Sequence, residues 1–120
     1  MELVALLSSG KGTWGQVAGL INHGSWDKVL LVCSKFASSK IKEFDFSKKA
    51  EIITIDFDKP LKELIEELKK KLRSKLSGME IALSIASGDG KEHMALISAL
   101  INLPVGIKFV ALTRDGIIEF

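Results

Sequence analysis

One stretch, from Ile81 to Ala95, constrains this chain more than any other. It opens with the apolar run Ile81-Ala82-Leu83-Ser84-Ile85, which predicts a strand buried on both faces, as in parallel sheets. The run stops at Ser87-Gly88-Asp89-Gly90-Lys91, and an apolar segment resumes soon after. The order is a strand, a phosphate-sized loop and a helix start. Glycine lets a backbone approach a ligand closely, and a new helix aims free N–H groups at the same point. Lys91 adds one mobile positive charge there. Ser, Gly and Asp are also the ordinary content of a βα turn, so the stretch alone fits both a ligand loop and a plain connection.

The remaining chain repeats the pattern. Glu2 to Ser8 predicts a strand with no charge after Glu2, followed by the loop Ser9-Gly10-Lys11-Gly12. Thr13 is a candidate N-cap for a helix running to about Asn22, with Trp14, Val17, Leu20 and Ile21 on one side. Gly15 and Gly19 share a face of that helix, which predicts a close backbone approach to the sheet or a ligand. His23-Gly24 closes it. Asp27 to Cys33 predicts the second strand, Phe36 to Phe44 a short helix of unclear period, and Glu51 to Ile55 the third strand.

After Asp58-Lys59-Pro60, the residues Leu61, Leu64, Ile65, Leu68, Leu72 and Leu76 keep the spacing of one helical apolar stripe. Its acids come early and its bases late, as the helix dipole favours, so the basic run Lys69 to Lys75 reads as a solvated helix face. The helix after Lys91 is expected to reach about Leu103, before Pro104, and Ile107 to Thr113 is a fifth strand. Asp115-Gly116 marks a hairpin into a short antiparallel strand, Ile117 to Phe120.

Strands alternating with helices predict an α/β, Rossmann-like, mostly parallel sheet with helices on both faces. The expected order is 3-2-1-4-5, with the C-terminal strand as an antiparallel edge beside the fifth. In such sheets the ligand crevice lies at the carboxyl ends of strands 1 and 4, where the order reverses. Both Gly-rich loops fall there.

Composition narrows the classes. The 120 residues form one domain, and 47% apolar with 27% charged residues is ordinary for a globular chain. A net charge of +2 is too small to imply duplex nucleic acid as a partner. No apolar run reaches the ~18 residues of a membrane span. The single Cys33 excludes a disulfide framework within the chain, and no His, Cys or carboxylate cluster has metal-ligand spacing, so a cytoplasmic protein without metal or cofactor is expected. One glutamine and two asparagines against abundant Lys and Glu match a hyperthermophile bias.

Gly10-Lys11-Gly12-Thr13-Trp14-Gly15 is a literal G-x-G-x-x-G between a strand and a helix, as a dinucleotide site requires. The second strand ends Cys33-Ser34-Lys35, with no acid for a ribose 2′-hydroxyl. Ser34 and Lys35 suit a 2′-phosphate, so NADPH is the dinucleotide to consider. An ATPase phosphate loop is excluded, because Ala5 stands where its first glycine belongs. His23 reads as a helix C-cap and His93 as a first-turn residue, and no Gly-x-Ser-x-Gly elbow exists.

Three features together resemble the CARF domains, the CRISPR-associated Rossmann-fold domains that sense cyclic oligoadenylates. They are the loop Ser8-Ser9-Gly10-Lys11-Gly12-Thr13, the passage His23-Gly24-Ser25-Trp26-Asp27-Lys28 into Val29-Leu30-Leu31-Val32, and Ser87-Gly88-Asp89-Gly90-Lys91-Glu92-His93-Met94. The last is similar to the family's Gly-Gly-Thr-Lys-x-Met loop, with Asp89 intruding between the glycines. The resemblance spans the whole chain at the level of pattern.

It implies a two-fold homodimer that binds a cyclic oligoadenylate, tetra-adenylate for preference, across its axis. A domain without an effector would be a sensor subunit, a ligand sink or a metal-independent ring nuclease. In the last case a ribose 2′-hydroxyl attacks the adjacent phosphate, and the protein orients it and stabilises the phosphorane. The resemblance points to Ser9 and Lys91 as the catalytic pair, with Ser8, Thr13 and Lys11 as their fallbacks. The expected ligand-binding set is Ser8, Gly10, Lys11, Gly12, Thr13, Ser34, Ser87, Gly88, Asp89 and Gly90. An NADPH module and a ligand-free interaction subunit are the alternatives. The helix after Lys91 is apolar nearly all round, including Met94, Ile97, Leu100 and Ile101, which predicts burial against a second copy.

Overall fold

Leu3, Val4, Ala5, Leu6 and Leu7 are all completely buried, and a strand with no exposed face must lie in the middle of a covered sheet. This strand, β1 (Glu2–Leu7), pairs in parallel with β2 (Lys28–Ser34) on one side and β4 (Glu80–Ser84) on the other. The computed structural model describes residues 1–41 and 50–120, apart from the side chain of Lys11. Among the described residues, β3 (Ala50–Ile55), β5 (Gly106–Thr113) and β6 (Gly116–Glu119) complete one sheet of order β3-β2-β1-β4-β5-β6. Among the described residues only β5 and β6 pair antiparallel. The Rossmann-like α/β architecture, the reversal of strand order between β1 and β4, and the antiparallel edge are as the sequence predicts.

Helices cover both faces because consecutive strand residues, which point to opposite faces, are apolar. Val4, Leu6, Leu30, Val32, Ile81 and Leu83 face α3 (Leu61–Arg73) and α4 (Gly90–Ile101). Leu3, Ala5, Leu7, Leu31, Cys33 and Val110 face α1 (Trp14–His23) and α2 (Lys35–Lys40). The leucine stripe of α3 is buried as its spacing requires, with Leu64, Leu68 and Leu72 fully covered. Each such leucine contributes about 1.5–3 kcal/mol over its exposed state.

Several local expectations need adjustment. The helix expected over Phe36 to Phe44 is α2, which begins at Lys35 and ends at Lys40; positions 42–44 lie outside the described residues. Thr13 stands at the N-cap of α1, but its side chain makes no capping bond, because it closes a 3-10 turn (Lys11–Thr13) instead of entering from extended backbone. Of the two glycines on α1, only Gly19 is closely approached: a Cβ there would stand 2.6 Å from the end of Leu112 on β5. Gly15 faces open space. Among the described residues, no helix is long and apolar enough to cross a membrane.

Burial pushes the Cys33 thiol up to about 12, opposed by the Ser38 hydroxyl, from the ordinary 9.0. The folded chain should therefore resist thiol alkylation at pH 8, with labelling at the rate of unfolding. The folded value lies above the unfolded one, so this contribution to stability is complete below pH 9 and is lost as pH rises towards 12. Native labelling as fast as that of a free thiol would contradict it.

Candidate crevice at the reversal of strand order

The two Gly-rich loops leave β1 and β4 side by side, because those strands are neighbours in register, Ala5 opposite Ser84. Ser8 ties them together. Its N–H donates to Ser87 Oγ at 2.9 Å, and its hydroxyl donates to Glu92 Oε2 at 2.6 Å. Its carbonyl accepts from the Trp14 indole at 2.8 Å. Ser8, Ser87 and Glu92 are buried, and each polar side chain is satisfied by another part of the same knot.

The loop after β4 turns on Gly88, whose φ is +107°. A side chain at Gly88 would meet Leu6 Cδ2 at 2.4 Å, His93 Nε2 at 3.1 Å and Glu92 Oε1 at 3.2 Å. Asp89 then caps α4. Its carboxylate accepts from Glu92 N–H at 2.9 Å, while Glu92 Oε1 accepts from Asp89 N–H at 2.8 Å, a reciprocal capping box. Ser87 O can only accept, so the His93 ring donates to it through Nε2, at 2.8 Å.

Between the loops lies an open crevice of about 430 Å³. Ser8, Ser9, Gly10, Gly12, Thr13, Gly88 and Asp89 line it, as the sequence expects of a single site. Ala86 and Glu92 line it as well, and neither was expected there. The spacing Asp89-x-x-Glu92 was the available signal, since a capping box brings the glutamate back over the loop. Gly10 and Gly12 have nothing within 4 Å of where a Cβ would stand, so the backbone there is open to a ligand.

Other expected residues sit differently. Ser87 is beneath the crevice, holding Ser8 rather than lining the opening. Gly90 and the half-buried Lys91 begin α4, beside the lining residues and not among them. Lys11 lies in the 3-10 turn. Ser34 stands at the end of β2, where its hydroxyl accepts from Ala37 N–H at 3.1 Å and caps α2. Lys35 pairs with Asp56 at 3.4 Å. Both groups that suit a 2′-phosphate are thus engaged within the chain. The third glycine of a dinucleotide fingerprint exists for close helix–strand packing, yet a Cβ at Gly15 would meet nothing within 4 Å.

The crevice can hold a polar ligand against the β1 loop, with hydroxyls from Ser9 and Thr13. Its β4 side differs in charge. The Glu92 N–H, one of the helix-start donors offered to a phosphate, is already bound by Asp89, so that side favours hydrogen-bond donors over anions. Among the described residues no group of three or more His, Cys, Asp or Glu side chains could hold a metal ion. No protein-family model matches the chain, and no curated protein matches its sequence.

Proposed function

We propose that this chain binds cyclic oligoadenylates in the crevice between the β1 and β4 loops, as a CARF-like domain, and acts as a ring nuclease. The carrying observation is the convergence of both Gly-rich loops on one opening at the reversal of strand order. In this reading Ser9 orients the attacking ribose 2′-hydroxyl. Lys91, on the first turn of α4, and Lys11 stabilise charge on the phosphorane.

A second copy completes the site. α4 packs one side on the sheet and another against α3, leaving Met94 and Ile101 exposed by 53% and 66%. On the same face of the sheet, Phe120 stacks on Phe109 at 5.9 Å, and Ile118 and Phe120 are exposed by 45% and 71%. Leu100, offered to a partner by the sequence, is fully buried within the chain, and Ile97 packs against the core. The dimer contact is therefore assigned to Met94, Ile101 and the β6 edge.

Cyclic tetra-adenylate should raise the melting temperature with one ring per two chains, while AMP, linear ATP and NADPH should not. Salt should weaken binding. Lys91→Ala should weaken it more than Lys70→Ala, on the outer face of α3. Asp89→Asn keeps the cap and removes a negative charge, so it should tighten binding by about 1 kcal/mol, roughly fivefold. Ile101→Glu should yield monomers by sedimentation and lose the ring. Failure of every ring size to bind would end the proposal.

A further inference from the structure

A capping box needs one glutamate oxygen, and Glu92 spends Oε1 on it. Its other oxygen is aimed away from the helix start, at the Ser8 hydroxyl, 2.6 Å away. Glu92 is only 7% exposed, although a capping glutamate can do that duty at the surface. Ser8 in turn has given its only hydroxyl proton to Glu92, and its N–H and carbonyl are both engaged. What Ser8 Oγ retains is lone-pair capacity at the floor of the crevice. It can accept from a ligand O–H or N–H, and a phosphate oxygen has no proton to offer it.

We infer that Ser8 and Glu92 form a proton relay for the attacking hydroxyl, an inference that rests on the proposed ring-nuclease reading. The ribose 2′-hydroxyl donates to Ser8 Oγ. As the 2′-oxygen bonds to the adjacent phosphorus, its proton passes to Ser8 Oγ and the Ser8 proton passes to Glu92 Oε2. The bond from phosphorus to the 5′-oxygen breaks, and that oxygen takes the proton back from Glu92 through water. A 2′,3′-cyclic phosphate and a 5′-hydroxyl result, with no net proton change. Ser8 is then a catalytic residue and Glu92 a positioning residue acting through it, while Ser9 holds the ribose.

The test measures binding of cyclic tetra-adenylate by calorimetry and its cleavage in single turnover, for the wild type, Glu92→Gln, Ser8→Ala and the double variant. Glutamine can still accept from Asp89 N–H, so Glu92→Gln should melt near the wild type and bind within about threefold, yet cleave about a hundredfold more slowly. Ser8→Ala should slow cleavage to a similar extent. The double variant should be no slower than the slower single, because groups acting as one unit are not additive. A wild-type rate that falls along a bowed curve with deuterium content would support two protons in flight without reference to any variant. A straight line, multiplied losses in the double variant, or full cleavage by Glu92→Gln would each overturn the relay. A wild type that binds the ring and never cleaves it would overturn the relay and leave the binding reading standing; one that binds no ring would overturn both.

Discussion

Gly88→Ala is expected to cost about 3 kcal/mol, a fall of roughly 10 °C in melting temperature. Two independent penalties add. The backbone at Gly88 has φ +107°, a conformation that L side chains rarely adopt. The added methyl would also stand 2.4 Å from Leu6 Cδ2, and Leu6 is fully buried, so its side chain can turn aside only by disturbing the core. Gly90→Ala is the matched control. It opens α4 with nothing within 4 Å of the added carbon and no positive φ, so it should be neutral or stabilise by about 0.5 kcal/mol. Equal melting temperatures for the two variants would contradict the geometry assigned to the β4 loop.

Glu2→Ala should cost about 2–3 kcal/mol, although Glu2 is the outermost residue of β1. Glu2 is only 4% exposed, and its carboxylate accepts from Ser77 N–H at 3.0 Å and Gly78 N–H at 2.6 Å. The Ser77 hydroxyl adds a third, longer contact at 3.3 Å. These bonds pin the loop between α3 and β4 to the start of β1. Alanine would remove both charge-assisted bonds at once. Glu2→Gln keeps an acceptor and loses the charge assistance, so it should fall between alanine and the wild type. The check is a denaturant titration of all three proteins, and a Glu2→Ala midpoint equal to the wild type would refute the anchor.

Much of the fold is legible in the residues. Leu3 to Leu7 and Val29 to Cys33 read as buried strands because nothing charged interrupts them, and both are completely or nearly completely covered. The α3 leucines announce their face by spacing alone. The switch of strand order, and with it the place of the crevice, followed from alternating elements and the handedness of their crossovers. Ser9, Gly10, Gly12 and Thr13 were legible as its lining for the same reason.

What the sequence by itself determined was set within a few residues: helix period, helix charge order and the two loops, though not the capping roles of Thr13 and Ser34. Partner choice over long separations was decided only by the tertiary structure. Ser8 and Glu92 lie 84 positions apart, and Glu2 and Gly78 lie 76 apart. The Asp89-x-x-Glu92 spacing marks Glu92 as a capping glutamate, but nothing local marks it for burial, while Glu63 and Glu66 of α3 stay exposed. It is buried because the β4 loop turns at Gly88 and sets the first turn of α4 against the end of β1. Ser34 shows the same at short range: its hydroxyl, expected to meet a ligand, is taken by the short α2 that follows it as its cap. A side-chain hydrogen bond goes to whichever group the packed chain brings within about 3 Å, and that choice exists only once the sheet has formed.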